Sequence, residues 1–373
     1  MEKIKNLIVG AGFSGATLAR KIAEELNEEV LVIDAKNHIA GNCYDYWDKN
    51  GICIQQYGPH IFHTYSKMAW DFISRFTKFY PYMHHVTGYI DGQEITLPYN
   101  LNTLYQVFPK FMAEKFERKL VEQFGFDNKI AILELQKTDD ADLRFLADFI
   151  YRKVFLRYTA KQWDLKPEDL DPSITGRVPI RINRDNRYFQ DPYQGIPLQG
   201  YTKAIEEMLN HPNIQIQLNT PFETIKGQIS YDRLFYTGPI DAFFEYQLGE
   251  LPYRSLKFDL IEFEKSHFQS GSVVNYPNNY DFTRIGEYKH FLDNQTTRTV
   301  VSFEYPQAFK RGENDRYYPI VKEENLALYN QYLEKAKEHP NVHFLGRLGD
   351  YKYYDMDKAI LRALEVFERI KNA

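Results

Sequence analysis

Leu7-Ile8-Val9-Gly10-Ala11-Gly12-Phe13-Ser14-Gly15 is an apolar run that breaks into three glycines at the spacing G-x-G-x-x-G. A helix-length segment, Ala16 to Leu26, follows, and then a second apolar run, Val30-Leu31-Val32-Ile33, which ends at Asp34. Strand, glycine turn, helix and strand make a βαβ unit, and each glycine has a task in it. Gly10 permits the tight turn, Gly12 lets backbone approach a pyrophosphate, and Gly15 lets helix and strand pack closely. The helix N-terminus offers free N–H groups to the phosphates, and Asp34 can accept from ribose hydroxyls.

The turn alone does not separate NAD from FAD. Gly41-Asn42 come soon after the second strand, where FAD proteins continue the cofactor loop. Far downstream, Val342 to Leu345 predicts another strand, and Ile360, Leu364, Phe367 and Ile370 form the stripe of a helix starting near Asp355 or Met356. The positive end of such a helix would stabilise the anion of a reduced flavin. FAD is therefore the expected cofactor, and the two ends of the chain are expected to share one domain.

The chain has 373 residues, 43% hydrophobic and 26% charged, which is a globular balance with room for more than one core. A net charge of -5 gives no footprint for nucleic acid. No apolar run approaches the roughly 20 residues of a membrane span, and the first strand begins almost at Met1, so no membrane insertion and a cytoplasmic location are expected. Cys43 and Cys53, the two cysteines, lack metal-type spacing and read as reduced thiols.

Between the ends, residues 84 to 97 alternate around Asp91-Gly92 as a hairpin, and helical periodicity runs from about 100 to 165. Thr138 with Asp139, Asp140 and Asp142 marks a helix start, and Leu143, Leu146, Phe149, Ile150 and Val154 its apolar stripe. From Arg177 the period becomes two: Val178, Ile180 and Ile182 on one side, Arg177, Arg181 and Asn183 on a basic face. Residues 252 to 305 read as antiparallel strands. The expected architecture is α/β: a discontinuous Rossmann-type FAD-binding domain (1–80, 193–245, 320–373) with an inserted helical bundle (98–172) and an antiparallel β-sheet substrate domain (81–97, 173–192, 246–319).

Arg177, Arg254 and Arg284 each sit in apolar or aromatic strand-like sequence and so need an anion; ion pairing across the sheet and a diphosphate clamp both supply one. Gly58-Pro59-His60-Ile61-Phe62-His63 puts two histidines in a Gly-Pro loop with no cysteine or acid beside them, so the expectation is no metal, with a loop against the cofactor and a purely structural loop both open. Tyr158-Thr159-Ala160-Lys161-Gln162-Trp163 supplies an exposed-looking aromatic pair just beyond a helix, open to a core reading and to stacking on a base.

Taken together these motifs resemble the bacterial UDP-galactopyranose mutases: GAGFSG at 10–15, AGN at 40–42, YGPHIFHT at 57–64, YTAKQW at 158–163, RVPIR at 177–181, FTRI at 282–285, YYPI at 317–320 and GRLGDYKYYDMD at 346–357. The resemblance implies interconversion of UDP-galactopyranose and UDP-galactofuranose through attack of reduced FAD on the anomeric carbon, with no net redox change, in a homodimer. It implies catalytic roles for Arg177, Arg284 and His63, the two arginines meeting the diphosphate. It places Phe155, Tyr158, Trp163, Tyr188, Arg254, Asn275, Tyr317 and Tyr353 at the substrate, with Tyr317 chosen over Tyr318. Phe13, Ser14, Gly41, Asn42, His60, Arg347, Asp355 and Met356 join Gly10, Gly12, Gly15 and Asp34 at the cofactor. Ala40 stands where a second glycine is usual, and Val154 where an aromatic is common. An oxidoreductase of the amine-oxidase type and a nucleotide-sugar-binding module without turnover are the rival readings.

Overall fold

The computed structural model describes residues 3–164 and 179–372. Its centre is a five-stranded parallel sheet in the order Ile214–Gln217, Val30–Ile33, Lys3–Val9, Ser230–Tyr236, Val342–Phe344. Val30–Ile33 and the C-terminal halves of Lys3–Val9 and Ser230–Tyr236 are apolar on both sides because both sides are covered there, while the edge strand Ile214–Gln217 buries only Ile214. Alternation sorts their residues: Ile8, Val32 and Phe235 join a core with the helices Phe13–Lys21, Tyr201–Leu209 and Met356–Lys371. Leu7, Leu31 and Leu234 face the other way, into a core with Phe243, Phe244 and Tyr332. The C-terminal strand thus completes the sheet that the N-terminal βαβ unit begins, one residue shorter than expected, and the last helix packs on the first.

A second, seven-stranded sheet runs Tyr318–Pro319, Tyr253–Phe263, Thr299–Ala308, Arg284–Glu287, Val273–Asn275, Val86–Ile90, Gln93–Leu97. Asp91 and Gly92, at φ 51° and 87°, turn its terminal hairpin, as a type I′ turn requires. The sheet is not purely antiparallel, because Val273–Asn275 pairs with Val86–Ile90 in parallel. No tight turn joins those two strands, so nothing forces them to oppose.

Helices Leu101–Val107, Lys110–Phe124 and Ala141–Ile150 close over this sheet, with Leu143, Leu146 and Ile150 fully buried. Asp140 caps the last of these, its carboxylate accepting the N–H groups of Asp142 and Leu143. One π-helical turn, Tyr151–Phe155, then leads into the helix Leu156–Trp163.

The expected basic-faced strand needs correction. Only Ile180–Arg181 is a strand among the described residues, and it has no solvent face: Ile180, Arg181, Ile182 and Asn183 are all buried. Arg181 donates to the carbonyls of Arg187 and Tyr188 at 2.5 and 2.6 Å, so it serves the chain's own backbone. Arg177 and Val178 lie outside the described residues.

Candidate active site

The glycine turn divides its work as its spacing predicts. A Cβ on Gly15 would stand 1.9 Å from the Gly10 carbonyl oxygen, and one on Gly10, at φ 105°, would stand 2.0 Å from Thr237 Oγ1. Gly12 differs: a Cβ there would meet nothing nearer than the Gly41 α-carbon at 3.9 Å. Gly12 and Gly41 therefore let two backbone turns come within van der Waals reach, and no other atom of the described residues crowds the side of Gly12 that a Cβ would occupy, beside the N-terminus of the helix Phe13–Lys21. That cradle fits a pyrophosphate. Asp34 braces it, Oδ2 accepting from Ala11 N–H at 2.8 Å and Oδ1 from Lys36 N–H at 2.9 Å. Phe13 packs in the core against Phe62 and Tyr201, so only its backbone serves the turn, and Ser14 Oγ donates to the Ala359 carbonyl of the last helix.

A cavity of about 300 Å³ gathers most of the remaining expected residues: Asn42, His60, His63, Phe155, Tyr158, Trp163, Tyr188, Asn275, Arg284, Tyr317, Arg347, Tyr353, Asp355 and Met356. Asp355 and Met356 are the cap and first residue of the last helix, so its N-terminal N–H groups stand at the cavity wall. Tyr158 and Trp163 are within the helix Leu156–Trp163, not beyond one, and turn inward. Their exposed look came from the polar neighbours Lys161 and Gln162, of which Lys161 is half-buried and Gln162 is buried and lines the cavity as well. Tyr317 and Tyr318 both line the cavity, and Tyr318 stacks on Tyr353 with ring centres 5.0 Å apart. Arg347 lies over both of those rings, at 5.4 and 5.5 Å, and donates to the carbonyls of Tyr317 and Tyr354.

Arg254 does not line the cavity. It is buried with Nε on the Gln162 carbonyl and Nη2 on that of Lys161, because its strand passes under the end of that helix.

Arg284 joins the two readings that its sequence left open. Its Nε donates to Glu304 Oε2 at 2.6 Å, and Glu304 is 1% exposed. The terminal guanidinium nitrogens have no hydrogen-bond partner among the described residues, which leaves the other edge of the fork for a ligand in the cavity. Burial alone would lower the pKa of Arg284, but the Glu304 carboxylate and the phenols of Tyr158 and Tyr318 hold it well above the usual value. Burial pushes the phenols of Tyr158, Tyr317 and Tyr318 up, so their hydroxyls keep their protons and can donate.

Three histidines share this cavity. Burial, reinforced by Arg347 and Arg284, holds His60 down to about 4, with Nδ1 2.7 Å from the Gly58 carbonyl. Burial and then Arg284 hold His84 down to about 3. Both rings are neutral near pH 7. His63 stacks on Phe189 at 3.5 Å, and its Nδ1 is 3.3 Å from Asp191 Oδ2 without hydrogen-bond alignment.

Sequence reasoning missed Glu304 and His84. Glu304 had a signal, an acid inside the apolar strand Thr299–Ala308 and in register with Arg284, but the register is a product of the sheet. His84 had none.

A family model described as UDP-galactopyranose mutase matches residues 153–353, and one for an NAD(P)-binding Rossmann-like domain matches residues 8–76. A probable UDP-galactopyranose mutase of Klebsiella pneumoniae is 39% identical, with 96% of this chain and 92% of that one covered. The chain belongs to the UDP-galactopyranose mutase family. It is an isomerase of that family, with a Rossmann-type nucleotide domain. The dTDP-fucopyranose mutase of Escherichia coli is 37% identical with 97% of both chains covered, and the UDP-galactopyranose mutase of Mycoplasma pneumoniae is 34% identical with 99% and 96% covered. Among solved structures, a reduced UDP-galactopyranose mutase superimposes with a TM-score of 0.77 at 14% identity, covering 99% of this chain and 96% of that one. A putative protoporphyrinogen oxidase from Exiguobacterium does so with 0.62 at 11%, covering 98% of each chain. At such identities these two matches concern the fold alone.

Proposed function

We propose that this mutase interconverts UDP-galactopyranose and UDP-galactofuranose with reduced FAD as its cofactor. The observation that carries the reading is Arg284, held by Glu304 through Nε with its other edge free in an aromatic cavity. Such a fork matches the oxygens of a diphosphate. Negative charge grows on that diphosphate as it leaves the sugar, so the guanidinium, with the protonated hydroxyls of Tyr158, Tyr317 and Tyr318, binds the transition state more tightly than the ground state. Arg177 is the second proposed arginine. The flat faces of Phe155, Tyr158 and Trp163 suit a base and ribose, with Tyr188, Asn275 and Tyr353 completing the substrate set.

Reduced FAD would supply the nucleophile at the anomeric carbon, without net redox change. The glycine turn would hold its pyrophosphate, Asp34 its ribose, and Asn42, His60, Arg347, Asp355 and Met356 the flavin end. His63, with Nδ1 turned to Asp191, has Nε2 to exchange a proton with a sugar hydroxyl as the ring opens and recloses. Neutral His60 and His84 add no cation that would compete with Arg284 for the diphosphate. In this reading the enzyme works in the cytoplasm, where the buried free thiols Cys43 and Cys53 stay reduced, as the homodimer implied by the family resemblance.

The relative from Escherichia coli supplies the rival substrate, a dTDP-linked deoxysugar. Dithionite-reduced and oxidised enzyme are mixed separately, without oxygen, with UDP-galactofuranose and with dTDP-fucofuranose. The expected result is isomerisation of the UDP sugar by the reduced form alone. Turnover by oxidised enzyme, or of the dTDP sugar only, would overturn the proposal.

A further inference from the structure

The helix Leu156–Trp163 presents Tyr158, Gln162 and Trp163 to the cavity, while two cations outside the cavity lining hold it in place. Arg254 reaches up from the strand Tyr253–Phe263 and donates to the carbonyls of Gln162 and Lys161, at 3.0 and 3.3 Å. Those carbonyls belong to the last turn, where a helix lacks partners of its own and its dipole is negative.

Lys161 reaches the opposite way. Its Nζ donates to the main-chain carbonyls of Tyr276, Tyr280 and Phe282 at 2.5, 3.0 and 2.9 Å. These bonds use every proton that an ammonium has. The acceptors all lie in the loop joining Val273–Asn275 to Arg284–Glu287, which Tyr276 N–H closes onto the Thr283 carbonyl at 2.8 Å. Asn275, Pro277 and Arg284, in this loop and at its ends, line the cavity.

An ammonium that meets only neutral carbonyls is an expensive way to tie a loop. Burial pulls Lys161 down to about 8, with Asp281 the charge that works against it. An apolar side chain would cover the same loop without that desolvation. What the ammonium adds is a fixed geometry between two walls of the site. We propose that Lys161 is a positioning residue for the nucleotide diphosphate, pinning the 276–283 loop to the helix so that Arg284 stands at a set distance from Tyr158 and Trp163. This rests on reading the cavity as a nucleotide-sugar site.

The test compares FAD-loaded wild type, Lys161→Met and Lys161→Arg for UDP and dTDP affinity, KM, kcat and melting temperature. Methionine keeps the apolar stem and loses all three donors. Arginine keeps the charge, but its planar fork cannot meet three converging carbonyls as an ammonium does. Misplacement of a clamp weakens binding steeply, so Kd and KM should rise about tenfold or more in Lys161→Met and about two- to fivefold in Lys161→Arg. In both, kcat should fall together with affinity, by about tenfold or more in Lys161→Met, because a displaced Arg284 also meets less of the charge that grows on the leaving diphosphate, and melting should stay close to wild type. A folded Lys161→Met with wild-type Kd overturns the inference, as does a Kd that holds while melting and kcat fall together. If Lys161→Met does not fold, Lys161→Arg decides, and wild-type affinity there overturns it. A wild type that holds dTDP but not UDP sinks the UDP-galactose reading and leaves Lys161 to be judged on dTDP; one that holds neither overturns both.

Discussion

The glycine turn at Gly10–Gly15 is built from backbone, whereas the wall around Arg284 is built from side chains brought together from distant stretches of chain. In the turn, specificity comes from atoms that are missing: no Cβ at Gly12 or Gly41, and so backbone left bare to close approach. In the wall it comes from atoms that are held: a guanidinium by Glu304 and phenols by burial. Substitution should therefore act differently in the two places. In the turn it separates fold glycines from ligand glycines, and in the wall it mixes stability with rate.

The sharpest break lies within the turn. Gly15→Val would drive side-chain carbon into the Gly10 carbonyl and should cost more than about 4 kcal/mol, leaving little soluble protein. Gly12→Ala, which meets no protein atom closer than 3.9 Å, should fold and melt like the apoprotein yet purify colourless. Soluble yield and the flavin absorbance spectrum check both, and a yellow, FAD-replete Gly12→Ala would sink the cradle.

In the wall, Arg284→Ala leaves the Glu304 carboxylate buried without its partner. It should lose about 3–5 kcal/mol of stability and slow turnover by roughly 30- to 1,000-fold. Adding Glu304→Gln should restore most of the stability and none of the rate. Recovery of rate in the double variant, read by urea unfolding beside kcat, would show the pair to be structural only.

Acid offers a weaker probe of the same wall. His60 and His84 are held at about 4 and about 3, below their ordinary 6.5. The unfolded chain takes up their protons first, so stability present above pH 6.5 is lost as pH falls from there toward those values, by on the order of a few kcal/mol. Urea unfolding at pH 7 and pH 5 should show a shallower loss in His84→Asn than in wild type. Equal slopes would mean that His84 is not held neutral.

The smallest effect returns to the cofactor loop. Ala40 is buried at φ 72°, a left-handed conformation that disfavours a Cβ. Ala40→Gly should stabilise the fold by about 0.5–1 kcal/mol, less than the full relief because glycine also loosens the unfolded chain. An unfolding midpoint at or below that of wild type would mean that the loop accommodates its alanine without strain.

The sequence by itself determined whatever is settled within one hydrogen-bonded neighbourhood. The glycine turn and the Asp91-Gly92 hairpin rest on positive-φ backbone that few residues adopt, and the Asp140 cap on a side chain that accepts from its own helix, so all three can be read in order along the chain. The aromatic and basic residues of the cavity were legible as a set, from the motifs that resemble one family. Their partners were not. That Arg284 answers to Glu304, Arg254 to the end of a helix 92 residues away, and Lys161 to a loop more than 100 residues on depends on strand register and packing. Period-two reading put Arg181 on a basic face but left open what lies against it, because alternation alone cannot tell a free sheet face from one covered by other parts of the chain. A charged side chain states only that it needs a counterpart, and it is the tertiary fold that chooses which one comes within reach.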